Sequence, residues 1–253
     1  MSQILLSIIT ATYNAEATIE RTLRSVETQI YDWAIEHIVV DGDSQDNTIA
    51  IVNKYKNSPH NYNVIVINEP DKGLYDALNK GLHSASGEFV CFLNAGDTFK
   101  NESTIEQLFA GKDTDEIGII YGDTDIVDDN GVFLRNRRLS PPKHLCWKSF
   151  KSGMLVCHQS FIPKRELCPD YDLTYRYSAD FDWCIRVMKK AEEQNLSNLF
   201  SETTITNYLN EGMTTKNRTA SLKERFHIMV KHYGWLTTIL HHIWFIIRIV
   251  IKH

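Results

Sequence analysis

Short runs of apolar, largely β-branched residues recur along the chain: ILLSIIT at 4–10, HIVVD at 37–41, NVIVIN at 63–68 and FVCFLN at 89–94. Runs that are apolar at nearly every position predict strands buried on both faces, as in a mostly parallel sheet. Helical spacing fills the gaps. Ile19, Leu23, Val26 and Ile30 share one face of a first helix. Leu74, Ala77, Leu78, Gly81, Leu82 and Ala85 make the apolar stripe of a third, opposite Asp76, Asn79 and His83. Strand and helix alternate in this way through about residue 95, which predicts an α/β sheet with helices on both faces. Beyond Tyr121 the alternation loosens. IGIIYGDTDIV and VFLRNRR read as strands around the turn DDNG, and RRLSPPKHLCWKSFKSG as an irregular loop. A helix is predicted over 179–194 with Phe181, Cys184, Ile185 and Met188 facing the core, then a strand at FSETTITNYL and two basic, apolar helices. There is no internal repeat and no low-complexity linker.

Composition adds limits. The 253 residues suffice for one large domain or two small ones, and 43% hydrophobic with 23% charged residues is ordinary for a globular chain. A net charge of −5 gives no support for nucleic-acid binding. The balance is uneven, since from Gly212 onward Lys and Arg outnumber the single acid, Glu224. Cysteines 91, 146, 157, 168 and 184 are odd in number and form no CxxC pair, which argues against a disulfide framework or zinc site and for a reducing compartment. MSQILLSIITATYN has no basic leader and too short an apolar run for a signal peptide, so the expectation is a cytoplasmic protein.

Chemistry concentrates where the strands end. In open parallel sheets ligands bind outside the carboxyl ends of the strands, and here these ends read TATYN, VVDGDSQDNT, INEPDKG and LNAGD. Any one Asp in such a place can be a turn residue or helix cap, as is expected of Asp46 and Asn47. Four such loops together, with a lysine and an aromatic among them, suit a phosphorylated ligand bridged by a hard divalent cation. No GxGxxG follows the first strand, and neither GxxxxGK[ST] nor GxSxG occurs. A Rossmann dinucleotide-binding protein, a P-loop NTPase and an α/β-hydrolase are therefore disfavoured.

SIITATYN, VVDGDSQDNT, EPDKGLYDALNKGLHSASGEF, CFLNAGD, HQSFI and SADFDWCIRV, in this order, resemble the family-2 glycosyltransferases of the GT-A fold. Within that family the likeness is to bacterial transferases that build exopolysaccharide or O-antigen repeats, such as those of colanic acid synthesis. It implies a GT-A catalytic domain over 1–215, with a nucleotide-binding half at 1–125 and an acceptor half at 126–215, a Rossmann-like sheet flanked by helices, and basic amphipathic helices at 216–253. It also implies roles. Ala11, Thr12 and Tyr13 would wall the nucleobase, with Tyr13 stacking, and Asp41 would accept a hydrogen bond from the base. Lys72 would meet phosphate or ribose. Asn94 and Gly96 would lie along the diphosphate, Gly96 by close backbone approach. Asp97 would hold Mg²⁺ or Mn²⁺, and Asp180 would be the catalytic base. The chain departs from the pattern at Asn94–Asp97, where a single acid replaces an acid-rich motif, and at Asp76, where many relatives carry Arg.

The reaction implied is transfer of a sugar from a nucleoside-diphosphate donor, by default a uridine one, to a hydroxyl of a lipid-linked glycan, with inversion. Asp180 alternatively reads as the N-cap of its helix. His158, Gln159 and Trp183 are candidates for the acceptor pocket and equally for the core. In the tail, Leu236, Ile239, Leu240, Ile243, Ile247, Val250 and Ile251 share one stripe, short of the ~20 apolar residues of a spanning helix. The stripe fits an interfacial anchor at the inner face of the cell membrane, with Lys216, Arg218, Lys223, Arg225 and Lys231 toward anionic headgroups. A helix buried on the domain, or in an oligomer contact, is the other reading. A sugar nucleotidyltransferase and a non-catalytic nucleotide- or glycan-binding subunit are the competing functions; TATYNAEAT lacks the glycine-rich basic loop of the first.

Overall fold

The computed structural model describes residues 3–210 and 217–251. The predicted alternation is present: β1 (Ile4–Thr12), α1 (Ile19–Glu27), β2 (Ala34–Asp41), α2 (Thr48–Lys56), β3 (Asn63–Asn68), α3 (Leu74–Ser84) and β4 (Phe89–Phe92). These strands form a parallel sheet in the order β3-β2-β1-β4. Each run is apolar throughout because the sheet is covered twice. Ile9, Ala11, Ile38 and Val40 lie under α3 with its Tyr75, Leu78 and Leu82. On the opposite face, Val39 meets Ile19 and Leu23 of α1 and Val52 and Tyr55 of α2. Gly81 brings α3 so close to β1 that a Cβ there would collide with Ile9.

A second sheet continues the fold, built from β5 (Thr98–Phe99), β6 (Ile117–Val127), β7 (Phe133–Asn136), β8 (Phe161–Pro163) and β9 (Ser197–Leu209). Its order is β5-β9-β6-β7, with β8 also paired to β6. The hairpin around DDNG forms as predicted, β6 antiparallel to β7. β5, β8 and α4 (Thr104–Phe109) are additions that the apolar pattern did not reveal; two- and three-residue strands are too short to carry a period. α5 (Ala179–Glu193) buries Phe181, Cys184, Ile185 and Met188 as expected. Asn79, placed on the polar face of α3, is instead buried. Its amide exchanges two hydrogen bonds with the backbone of Tyr171, at 3.1 and 2.7 Å, and so ties the first half to the segment before α5.

The chain ends in α6 (Arg218–Tyr233) and α7 (Trp235–Ile251), with Gly234 between them at φ +80°. α6 belongs to the main body: Ile228 and Met229 enter the core. Buried Asp182 of α5 accepts from His232 at 2.8 Å and Lys231 at 3.2 Å of α6, and from its own neighbour Arg186 at 2.6 Å. Burial alone would raise the Asp182 pKa; the bonds from His232, Arg186 and Lys231 more than reverse it and hold the group ionised. No described helix is long and apolar enough to cross a membrane.

Candidate active site

The parallel sheet ends level. Thr12, Asp41 and Asn68 are in register across β1, β2 and β3, and the loops leaving them open onto two adjoining cavities of about 440 and 850 Å³. Ala11, Thr12 and Tyr13 line both. The larger cavity collects Gly42, Asp43, Asp71 and Lys72. Tyr13 stands on its rim with 60% of its surface exposed, a free aromatic face. Gly42 is required there, since a Cβ would strike Asp71 and crowd Tyr13. Asp76 accepts the Lys72 backbone N–H at 2.9 Å, so it shapes the lysine loop.

Asp41 does not reach either cavity. Its side chain is fully buried and takes the Ser44 N–H at 2.9 Å and the Ser44 hydroxyl at 2.6 Å. Closing the βα turn occupies the carboxylate expected to meet a base. Asp46 likewise acts as a turn former, accepting the Thr48 N–H at 2.9 Å at the start of α2, whereas the Asn47 side chain makes no cap bond.

The smaller cavity holds the carboxylates. Asp97 lines it from a tight turn in which its N–H donates to the Asn94 carbonyl at 3.0 Å. Gly96 sits at φ +97° in that turn and donates its N–H to the Thr22 hydroxyl at 2.9 Å. It does not line the cavity, so its observed task is the turn. The Asp97 carboxylate is 5% exposed and accepts from Gln159 Nε2 at 2.5 Å and from the Leu209 N–H at 2.7 Å. Burial pushes its pKa up to about 7, against the pull of those two bonds and of Arg21. Gln159, a candidate for the acceptor pocket, is wholly buried and braces this turn instead, its Oε1 accepting the Asn94 N–H at 2.8 Å. Trp183 is core: fully buried, stacked on Tyr171 at 4.9 Å between centroids, with Nε1 donating to the Pro169 carbonyl at 2.7 Å.

Asp180 opens α5 at the far side of the same cavity. Its Oδ1 accepts the Phe181 N–H at 2.9 Å and the Tyr75 hydroxyl at 3.2 Å. Oδ2 lies 3.6 Å from His158 Nδ1, beyond hydrogen-bond length, and is the freer oxygen. The N-cap of α5 is Ser178 and Asp180 is the second residue of the helix, so the N-cap reading does not hold; its Oδ1 is engaged at the helix start and Oδ2 is left for the catalytic reading. His158 lines the cavity and is 7% exposed; burial lowers its pKa, with Asp180 opposing and Arg137 reinforcing, so the ring is neutral at physiological pH. Its Nε2 is buried and has no hydrogen-bond partner among the described residues, and the same holds for Thr12 Oγ1 and Asn94 Oδ1. All three residues line the smaller cavity.

Among the described residues no cluster of three or more His, Cys, Asp or Glu could hold a metal by itself. Asp97 keeps unused lone pairs on both oxygens, and Asn94, whose buried Oδ1 has no partner among the described residues, lines the same cavity. Two hard oxygens fit a Mg²⁺- or Mn²⁺-like ion whose other ligands come from a diphosphate and water.

Sequence reading missed Tyr75, Tyr177, Tyr208, Arg137 and Arg225, all of which line the smaller cavity. Arg137 was hidden in a basic run on a hairpin. Arg225 was counted among residues facing lipid headgroups, yet it points into the site; Lys231, from the same set, pairs with Asp182 and Asp172. Arg218 and Lys223 are exposed, and Lys216 lies outside the described residues.

Comparison with known proteins gives concordant results. The sequence profile described as glycosyl transferase family 2 matches residues 7–171. A PGL/p-HBAD biosynthesis glycosyltransferase of Mycobacterium tuberculosis is 31% identical over 196 residues, which cover 74% of this chain and 70% of that protein. The UDP-Glc:alpha-D-GlcNAc-diphosphoundecaprenol beta-1,3-glucosyltransferase WfgD of Escherichia coli is 27% identical, over 90% of this chain and 87% of its own. Among solved structures, S. aureus TarS 1-349 in complex with UDP-GlcNAc superposes with a TM-score of 0.65 at 22% identity, covering 89% of this chain and 64% of that one. The mannosyltransferase PcManGT from Pyrobaculum calidifontis, in complex with GDP-Man and Mn²⁺, gives 0.58 at 17%, with 89% and 64% covered. The structural likenesses place the fold among GT-A transferases.

Proposed function

The chain belongs to glycosyl transferase family 2, and from that premise we propose an inverting transfer of a sugar from a nucleoside-diphosphate donor to a hydroxyl of a lipid-linked glycan in bacterial surface polysaccharide synthesis. A UDP-sugar is the preferred donor, and WfgD, with a UDP-glucose donor and a diphospholipid-linked acceptor in its name, supports that choice. The observation that carries the reading is the free Oδ2 of Asp180, which faces a cavity continuous with the nucleotide loops through Ala11–Tyr13.

In this mechanism the base stacks on Tyr13 and the donor phosphates run past Lys72 toward Asn94 and Asp97. The acceptor hydroxyl attacks the anomeric carbon from the opposite side. Asp180 Oδ2 takes its proton, the new C–O bond forms, and the bond from the anomeric carbon to the diphosphate oxygen breaks. Tyr75 and the Phe181 N–H hold Oδ1, so the carboxylate presents one oxygen in a fixed direction. Neutral His158 lies beside Oδ2, its Nδ1 at 3.6 Å. Asp97, with Asn94 beside it, would hold a divalent cation, which would supply Lewis-acid neutralisation of the leaving group.

Membrane attachment at the cytoplasmic face belongs to the same proposal. Trp235, Leu236, Ile239, Leu240, Ile243, Trp244 and Ile247 of α7 are all exposed, while Thr238 is buried toward the body. The apolar stripe thus faces outward, as an interfacial helix requires; Val250 and Ile251 of the expected stripe have side chains outside the described residues.

The deciding experiment is calorimetric titration of UDP, GDP and dTDP with and without Mn²⁺, followed by transfer assays with the sugar nucleotides of whichever base binds. Metal-assisted binding of one nucleotide and turnover with its sugar are expected. A folded protein that binds none of the three would overturn the donor assignment, and binding without turnover on any acceptor would favour a non-catalytic subunit.

A further inference from the structure

Besides the carboxylates of Asp97 and Asp180, the smaller cavity is lined by two arginines. Arg137, just past β7, and Arg225, on α6, enter it from different elements. Arg137 is fixed by donating Nη1 to the Leu139 carbonyl at 3.0 Å and Nη2 to the Met154 carbonyl at 2.8 Å. Those neutral acceptors orient the guanidinium without cancelling its charge. Arg225 makes no hydrogen bond to a described residue; its Nε is buried and unpaired, and its Cζ lies 5.9 Å from the Phe181 ring centre. Among the described residues neither guanidinium has a carboxylate partner. Two half-buried guanidiniums that make no ion pair with a described residue suit an anionic ligand between them.

We propose that Arg137 and Arg225 form a diphosphate-binding subsite for the acceptor, separate from the place of the donor diphosphate. The inference rests on reading the Asp180 cavity as the acceptor end of the transferase. Asn94 and Asp97, where the donor path ends, line the smaller cavity too, and neither arginine lines the larger one around Gly42, Asp71 and Lys72. Both arginines instead share the smaller cavity with Met154, Cys157 and Tyr177, which belong to the second half of the chain. Arg225 also sits on the helix that leads through Gly234 into α7, whose outer face is apolar. A sugar at Asp180, its diphosphate on the two guanidiniums and a lipid tail toward α7 follow one continuous path. Planar guanidiniums suit this task, since each offers paired N–H groups to phosphate oxygens.

The test is calorimetric titration of pyrophosphate into the full chain already saturated with whichever nucleoside diphosphate it binds, in wild type, Arg137→Gln, Arg225→Gln and Arg225→Lys, with melting curves to confirm folding. Pyrophosphate is expected to bind beside the nucleotide, about tenfold or more weakly in each Gln variant, and with partial recovery in Arg225→Lys. Nucleotide affinity is expected to stay the same in all four. Competition between pyrophosphate and nucleotide would assign the pair to the donor and overturn the proposal, as would equal pyrophosphate binding in all four proteins. Dodecyl diphosphate separates the two sources of this chemistry. Binding at least as tight as pyrophosphate fits a lipid-borne acceptor, while its exclusion where pyrophosphate binds would mark a free-anion site and defeat the assignment. If no nucleoside diphosphate binds, the donor reading fails by itself. Pyrophosphate binding and its loss in the Gln variants then still decide whether the arginine pair is an anion site.

Discussion

Replacing Asp180 with Asn tests the chemistry at a single atom. Asn keeps an oxygen for the Phe181 N–H at 2.9 Å and the Tyr75 hydroxyl at 3.2 Å, so the start of α5 retains its bonds. What changes is the position of Oδ2, where an amide nitrogen replaces the proton acceptor. Neutral His158, 3.6 Å away through Nδ1, can turn a lone pair toward that amide, so no buried clash follows. Folding stability is expected to move by less than about 1 kcal/mol. Removing a general base typically costs about 10²–10⁴ in rate, or about 3–5 kcal/mol of transition-state stabilisation. The assay pairs turnover of the sugar nucleotide with calorimetric nucleotide affinity on the same preparation. Turnover is expected to fall by at least a hundredfold while affinity stays within about twofold. Wild-type turnover in Asp180→Asn would refute the assignment, and an equal loss of nucleotide binding would place Asp180 in the donor site instead.

Asp97 has a folded pKa of about 7 against an ordinary value of 3.8, so between those values the folded state binds a proton that the unfolded state lacks. Its contribution is therefore fully present below the unfolded pKa and lost as pH rises through about 7, an effect of a few kcal/mol at most. Melting temperature against pH should show this decline, Asp97→Asn should flatten it whatever its baseline, and Mn²⁺ should raise the wild-type melting temperature at pH 8 but not that of the variant. A wild-type profile as flat as the variant's would contradict the burial argument. Trp183→Ala should cost about 3–5 kcal/mol in urea unfolding, as for a large core aromatic; an unchanged midpoint with a raised acceptor KM would return Trp183 to the acceptor pocket. The outward face of α7 can be tested without disturbing the core by the combined change Leu236→Ser, Leu240→Ser and Ile243→Ser, all at exposed positions. Binding to vesicles rich in phosphatidylglycerol should weaken by a hundredfold or more, since each fully buried apolar side chain is worth about 1.5–3 kcal/mol. Unaltered vesicle binding would remove α7 as the anchor.

The sequence by itself determined the parallel sheet and its covering helices, because a strand buried on both faces is apolar at most positions and the helix between strands must carry a 3.6-residue stripe. It also located the four loops of the site, since strand ends in such a sheet converge on one edge, and it marked Tyr13, Lys72, Asn94, Asp97, His158 and Asp180, all of which line the two cavities. Tertiary structure alone decided what each polar group does there. Asp41 and Asp97 both follow strands and look alike in sequence. One is spent on Ser44 in its own turn, while the other is turned into a cavity by Gln159, a residue 62 positions away. Trp183 and Asp180 are three residues apart and share a face of α5, yet Tyr171 and the Pro169 carbonyl enclose one in the core while the other lines the cavity. Arg137 and Arg225 are nearly ninety residues apart in basic stretches that read as surface. Only the packing of α6 on α5, held by Asp182 with His232 and Lys231, brings their charges into one cavity. Periodicity is local and can be read along a chain. The partner that claims a donor, an acceptor or a charge comes from elsewhere in the chain, and only the fold selects it.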